Sequence, residues 1–157
     1  MPAPLAARLL AHWQRMHRLP GGRWLFSRLL GRAVPYTGSI GACVESLVPG
    51  DVTVSLGDRR AVRNHLQSIH AIALVNLAEM TSGLAMLTAL PPNIRGIVVG
   101  LRIAYGKKAR GRLLATSRVT PPAVGPDPVD VEVTATIRDA AGDEVAVATV
   151  TWRLGTF

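Results

Sequence analysis

Residues 64–92 read NHLQSIHAIALVNLAEMTSGLAMLTALPP and contain the longest apolar run of the chain. The run from 70 to 90 has the length of a helix of about six turns, and Pro91-Pro92 ends it because proline cannot continue a helix. Glu79 is the only charged residue of the stretch. A hydropathy window would also mark a membrane span here, but an ionised carboxylate near the bilayer centre is costly. We therefore predict a buried helix inside a soluble domain.

Segments on both sides of this helix have the alternating pattern of half-buried strands. In 129–138, apolar residues alternate with charged and hydroxyl residues, and turn residues such as Pro49-Gly50-Asp51 separate neighbouring segments. One helix among hairpin-linked strands predicts an α+β fold in which an antiparallel sheet curves around the long central helix. The predicted strands are 40–48, 52–56, 97–105, 112–119, 129–138 and 145–153.

The composition is that of a folded domain with a sizeable core. The chain has 157 residues, of which 48% are apolar and 18% charged. Its single cysteine, Cys43, excludes an intramolecular disulfide and a cysteine-based zinc site, and a free thiol fits the reducing cytoplasm. His65 and His70 have no Asp or Cys nearby, so we predict no metal site.

The net charge of +8 is concentrated in a basic N-terminal arm, residues 1–34, ahead of the main domain, 35–157. All six charged residues in 1–44 are arginines. Helical spacing predicts one helix near 5–16 and a second over 23–30, which Gly31 would cap. We favour helices packed on the domain or on an oligomer partner. A peripheral membrane anchor and an organellar transit peptide are the alternatives.

Glu79 is the leading candidate for a catalytic group. A carboxylate is rarely buried unless it is paired or used, and burial would make it a better general base near neutral pH. The alternative is a structural role, in which Glu79 lies at an interface and bonds to the backbone of a partner. Thr81 and Ser82, which follow it, either line the same site or bond back to the helix carbonyls.

The residues before the helix offer donors for a reacting carbonyl. His70 stands at the predicted helix start and is either a cap or a core histidine. The first N–H groups after it are unpaired and could receive an oxyanion. Asn64 could hold a water or a carbonyl, although a loop Asn commonly bonds local backbone.

A second cluster is basic. Lys107, Lys108, Arg110 and Arg112 place four cations within six residues. They form either a solvated turn or a clamp for the phosphates of a nucleotide-bearing substrate. We predict no nucleic-acid partner, because charge alone supports one and aromatic residues make up only 4% of the chain.

The pattern Asn64-x5-His70-Ala71-x7-Glu79-x3-Gly83 resembles that of the hotdog-fold thioesterases. The chain is most similar to the subfamily DUF4442, a domain of unknown function related to the thioesterases of phenylacetic acid degradation. The similarity covers most of the chain. It rests on RAVPYTGSI at 32–40, RNHLQSIHA at 63–71, NLAE at 76–79 and YGKKARG at 105–111.

The resemblance implies a dimer with its active sites at the interface. It assigns Glu79 as general base or nucleophile toward a thioester carbonyl and Asn64 of the facing subunit as the group that positions water or the carbonyl. It further assigns the N–H of Ala71 to the oxyanion and His70 to the helix start. One departure is that the family's His-Gly-Gly reads His70-Ala71-Ile72 here, so that Ile72 narrows or redirects the acyl pocket.

These assignments lead to hydrolysis of an acyl-CoA thioester as the expected function. Gly83 leaves room for the acyl group, and Lys107, Lys108 and Arg110 would bind the phosphates. No resident cofactor is expected, because coenzyme A belongs to the substrate. We expect a homodimer or a dimer of dimers. A non-catalytic acyl-binding protein and, behind it, a hydratase are the alternatives.

Overall fold

The computed structural model describes residues 4–156, which form four helices and six strands. A single 3₁₀ turn, Arg60–Val62, precedes the longest helix. The helices are α1 (Leu5–Met16), α2 (Gly22–Ala33), α3 (Pro35–Gly38) and α4 (Ala71–Ala89); the strands are β1 (Cys43–Val48), β2 (Asp51–Leu56), β3 (Ile94–Tyr105), β4 (Leu113–Arg118), β5 (Val129–Arg138) and β6 (Glu144–Thr156).

The predicted antiparallel sheet around a central helix is confirmed. The six strands form one sheet in the order β1-β2-β4-β5-β6-β3, and every pair is antiparallel. Helix α4 contacts all six strands. It is long and apolar enough to cross a membrane, but 67% of that apolar window is buried inside the protein, so its apolarity is that of a core helix.

Helices α1 and α2 pack on this body rather than standing apart from it. Trp13 of α1 and Phe26 of α2 meet edge to face, with ring centroids 5.1 Å apart, and both belong to the main hydrophobic core. The Oγ of Ser27 accepts a hydrogen bond of 2.9 Å from the N–H of Val44, which ties α2 to β1. Because these rings are buried in the core that also contains residues of the sheet, they stabilise the packing of α1 and α2 on it.

The predicted cap at Gly31 is wrong, because α2 continues to Ala33. Gly31 instead lies against Gly38 of α3, so close that a Cβ on Gly38 would stand 2.6 Å from the Cα of Gly31. The glycine at this position permits the close approach of two backbones. Helix α3 was not predicted. It is fastened to α4 by a hydrogen bond of 3.1 Å from the Nδ2 of Asn76 to the carbonyl of Tyr36.

Gly38→Ala is expected to destabilise the protein by about 1–3 kcal/mol, because the added methyl overlaps backbone that cannot rotate away. Gly125→Ala is the matched control, since a Cβ at Gly125 meets nothing within 4 Å. Urea denaturation followed by circular dichroism measures both. Equal stability of the two variants would contradict the close packing of α2 and α3.

Strand β3 forms one edge of the sheet and has no neighbour on its outer side. Ile97, Val98 and Val99 are 58%, 38% and 42% exposed. Long, apolar and unpaired edges are uncommon in stable monomers, because they offer free N–H and C=O groups to another chain. Within residues 4–156, this edge therefore leaves N–H and C=O groups free to pair with another strand.

Candidate active site

Glu79 lies near the middle of α4. It lines a pocket of about 280 Å³ together with Gly83 one turn later, Gly96 of β3 and Trp152 of β6. The side chain is half-buried and forms no hydrogen bond or salt bridge within residues 4–156. Burial raises the pKa of its carboxyl above the ordinary value of 4.5. An unpaired carboxylate in an apolar pocket is a group available to act as a base.

Gly83 leaves space that a larger residue would fill. A Cβ at this position would lie 3.3 Å from the indole ring of Trp152 and 3.8 Å from the Oε1 of Glu79. The structure thus places Gly83 beside Glu79, as the sequence pattern predicts.

Trp152 was not predicted to line the site. Its Nε1 is buried and has no acceptor among the residues described. Buried indole N–H groups are usually satisfied, so this donor is free for a bound molecule or a water. The sequence signal was weak, because Trp152 is one large residue in an otherwise alternating strand.

His70 caps α4. Its Nδ1 accepts a hydrogen bond of 3.1 Å from the N–H of Ile72, in the tautomer assigned from that contact, and its carbonyl accepts the N–H groups of Ala73 and Leu74. The N–H of Ala71 donates to no acceptor within the described chain. At the start of α4, therefore, the N–H of Ala71 is free to donate a hydrogen bond, whereas the N–H of Ile72 is bonded to His70.

Asn64 reaches the same end of α4. Its Oδ1 accepts hydrogen bonds from the N–H groups of Leu66 and Ser68 and from the Ser68 hydroxyl, at 2.9 to 3.2 Å. Three donors on one oxygen determine the orientation of the amide. Its Nδ2 has no acceptor among the described residues, so the side chain braces the loop and still offers two N–H donors.

Asn64 and Ala71 line one pocket of about 300 Å³, together with Tyr105 and Lys108. The hydroxyl of Tyr105 donates a hydrogen bond of 3.2 Å to the carbonyl of Ala71, and burial raises the pKa of Tyr105. Tyr105 belongs to the YGKKARG segment that resembles the family, but no role was predicted for it. Its contact holds the first turn of α4 against the end of β3.

The predicted residues therefore form two groups in one chain. Glu79 and Gly83 line one pocket, and Asn64 and Ala71 line another. Eight residues of α4 separate Ala71 from Glu79, which is about 12 Å along the axis at 1.5 Å per residue. The carboxylate and the amide donors thus face different pockets of one chain.

Thr81 and Ser82 are fully buried and do not line the Glu79 pocket. The Thr81 hydroxyl donates to the carbonyl of Leu77 at 2.6 Å, and that of Ser82 donates to the carbonyl of Glu79 at 3.1 Å. Both hydroxyls therefore bond to carbonyls of their own helix, which is the second of the two alternatives that the sequence offered for them. Ile72 is exposed and lines a different pocket, beside His70 and Tyr36.

The basic loop 106–112 is only partly free to bind phosphate. The ammonium of Lys107 is held by Asp139 and Asp143 at 2.6 and 2.8 Å, and those hydrogen bonds raise its pKa. Arg112 pairs with Glu45. Lys108 and Arg110 are exposed and form no salt bridge within residues 4–156. The predicted clamp is thereby reduced to Lys108 and Arg110.

The described residues contain no group of three or more His, Cys, Asp or Glu side chains placed to hold a metal ion. The groups that line the two pockets are a carboxylate, amide and backbone N–H donors, and apolar side chains.

Comparison with known proteins identifies the family. The model of DUF4442, a domain of unknown function, matches residues 22–154. None of the proteins with curated functions matches the sequence. The crystal structure of the structural-genomics protein APC5556 is 27% identical, with a TM-score of 0.82, over 96% of this chain and 99% of that one.

The names of two further crystal structures refer to an activity. PA5026 of Pseudomonas aeruginosa, "Probable Thioesterase", is 21% identical over 88% of this chain and 97% of its own, with a TM-score of 0.74. A hypothetical thioesterase protein of Streptococcus pneumoniae, solved with coenzyme A, is 18% identical over 80% and 97%, with a TM-score of 0.66. At these identities the likeness concerns the fold. The chain has the hotdog fold and belongs to the DUF4442 family.

Proposed function

We propose that this protein hydrolyses acyl-CoA thioesters at a site shared between two subunits. The observation that carries the proposal is the unpaired carboxylate of Glu79, which lies half-buried in an apolar pocket with a raised pKa. A raised pKa makes a carboxylate a stronger base near neutral pH, and the apolar pocket suits an acyl group. The coenzyme A in the S. pneumoniae protein supports this class of substrate.

In the proposed reaction, Glu79 accepts a proton from a water molecule as the water oxygen attacks the thioester carbonyl carbon. The carbonyl oxygen becomes an oxyanion. When the intermediate collapses, the carbon–sulfur bond breaks, the protonated Glu79 returns the proton to the thiolate, and a carboxylic acid and free coenzyme A leave. Direct attack by Glu79 on the same carbon is the alternative, with water then hydrolysing the resulting anhydride.

Stabilisation of the oxyanion is assigned to the free donors at the other end of α4. The N–H of Ala71 has no acceptor within the described chain and carries the partial positive charge of a helix N-terminus. The Nδ2 of Asn64 is a second donor in the same pocket. Donors that are already oriented stabilise developing charge without reorganisation, which is the largest single contribution in many hydrolases.

A symmetric dimer through β3 would unite the two pockets. Gly96, near one end of β3, lines the Glu79 pocket, and Tyr105, at the other end, lines the Asn64 pocket. The two ends are about 30 Å apart at roughly 3.3 Å per residue. When two copies of an edge strand pair antiparallel about a two-fold axis, the Tyr105 end of one lies beside the Gly96 end of the other. Glu79 of one subunit would then face Asn64 and Ala71 of its partner.

The test is product analysis by mass spectrometry after the protein is incubated with a panel of short, medium, long and aryl acyl-CoA thioesters. The proposal predicts free coenzyme A and the matching carboxylic acid from at least one member of the panel. Recovery of every thioester intact would overturn it. An intact thioester that stays bound to the protein through gel filtration would instead support a non-catalytic acyl-binding protein.

The double variant Lys108→Ala/Arg110→Ala is expected to raise KM for an acyl-CoA by about threefold to tenfold, because two exposed cations contribute modestly to phosphate binding. KM for the corresponding acyl-pantetheine, which lacks the nucleotide phosphates, should not change. Steady-state thiol release measures both.

The matched control is Arg118→Ala/Arg138→Ala, which removes the same charge from arginines already paired with Asp51 and Glu144. It should leave the KM ratio of the two substrates at the wild-type value. An equal rise in KM for both substrates in the Lys108/Arg110 variant would contradict phosphate binding by this loop.

A further inference from the structure

A second apolar pocket adjoins the one that contains Glu79. It has a volume of about 430 Å³ and lies between α1, α2 and the last turns of α4. Three side chains, Leu30, Val34 and Leu87, line both pockets. The two pockets therefore adjoin, and together they are called the apolar groove, with Glu79 at one end and residues of α1 at the other.

The lining of the distal pocket is almost entirely hydrocarbon. Leu9, Phe26 and Leu29 are among its walls, and His12 is its one polar side chain. Apart from His12, the lining side chains offer no strong hydrogen-bond partner, so the pocket is poorly suited to a polar or charged ligand. It suits an unbranched alkyl chain, which gains about 0.8 kcal/mol for each methylene removed from water.

The size of the groove exceeds what a short acyl group needs. The two pockets together lie within the roughly 300–1,000 Å³ of sites that enclose drug-sized molecules. The proximal pocket alone holds the thioester carbonyl and the first methylenes beside Glu79. The distal pocket has no role in a reaction of acetyl or propanoyl groups.

From this arrangement we infer that the two pockets form one continuous groove, that the substrate carries a medium or long alkyl chain, and that helices α1 and α2 form the wall that binds its distal half. The inference rests on the proposed function, because it extends the same site. It gives the N-terminal helices a role in substrate selection in addition to their packing on the sheet.

Two leucines on α2 provide a matched test. Leu29 lines the distal pocket and is 47% exposed, whereas Leu25, one turn earlier, is 46% exposed and lines neither pocket. Leu29→Trp fills the groove, and Leu25→Trp makes the same change outside it. Displacing about two methylenes should lower kcat/KM for dodecanoyl-CoA relative to butanoyl-CoA by about tenfold or more in Leu29→Trp. Leu25→Trp should keep the wild-type ratio.

Binding of cis-parinaric acid, a fluorescent long-chain fatty acid, is measured on the same proteins and needs no catalysis. Binding that is weakened in Leu29→Trp but not in Leu25→Trp supports the groove even if no thioester is hydrolysed, so failure of the proposed function and failure of this inference are distinguishable. Turnover with an unchanged chain-length ratio in Leu29→Trp would overturn the inference. A changed oligomeric state in Leu29→Trp alone, measured by light scattering, would assign the groove to a subunit contact and also overturn it.

Discussion

Glu79→Gln is expected to lower kcat/KM for acyl-CoA hydrolysis by about 10²–10⁴-fold, the contribution of a positioned general base. The amide keeps the shape of the carboxylate and loses its capacity to accept the proton of the attacking water. Thiol release at saturating and limiting substrate measures the loss. Glu132→Gln, the same substitution on an exposed part of β5, is the control and should retain the wild-type rate.

The stability of Glu79→Gln separates a catalytic role from a structural one. Because burial raises the pKa of Glu79 in the folded protein, the stability it supports is full below the pKa of an unfolded-chain Glu and is lost as the pH rises through the folded-state value. A neutral Gln escapes this loss. The variant should therefore be as stable as wild type or more stable at neutral pH, with the difference vanishing in acid.

Urea denaturation at neutral and acidic pH measures this difference. A variant that loses activity because it unfolds more easily at neutral pH would contradict the assignment of Glu79 as a catalytic group. The acid limb of the wild-type pH–rate profile should also lie above the ordinary Glu value of 4.5, since the base must be ionised to act.

The elements of the sheet and the central helix could be predicted because their patterns are local. The apolar run ending at Pro91-Pro92 predicted α4 to within a residue at each end, and the alternation in 129–138 predicted β5 over the same residues. Strand β3 begins three residues earlier than predicted, at Ile94. This extension comes from pairing with Thr156 at the end of β6, which no local pattern contains.

From the sequence, a residue of the candidate site could be predicted only where its side chain differs in polarity or charge from its neighbours. Glu79 is the one charge in an apolar helix, and this contrast identified it. Leu30, Val34 and Trp152 line the Glu79 pocket but are apolar residues among many others, on elements distant in sequence. Gly31 was interpreted as a cap for the same reason, because its contact with Gly38 depends on how α2 and α3 meet.

The ion pairs of Lys107 also could not be predicted from local sequence. A run of cations in a turn predicts a free basic surface, yet Asp139 and Asp143 approach from the β5–β6 hairpin and pair with one of them. The sequence contains both signs of charge, but only the fold brings them within 3 Å of each other. Only the structure distinguishes Lys108 and Arg110, which form no salt bridge within residues 4–156, from the paired Lys107 and Arg112.

In the proposed dimer, the base and the donor amide of each site come from different subunits. Within one chain Glu79 and Asn64 line separate pockets, and the proposed site combines the two from different copies. Glu79→Gln and Asn64→Ala should each be nearly inactive as homodimers. In a mixed dimer, one site has both defects and the other has an intact Glu79 facing an intact Asn64.

The most direct test mixes the two inactive variants after reversible subunit exchange and measures thiol release. Random pairing makes half of the molecules mixed dimers with one intact site each, so activity should recover to about a quarter of the wild-type value in a two-fold symmetric dimer. Activity that remains at the average of the two single variants would contradict a shared site and place the whole reaction within one chain.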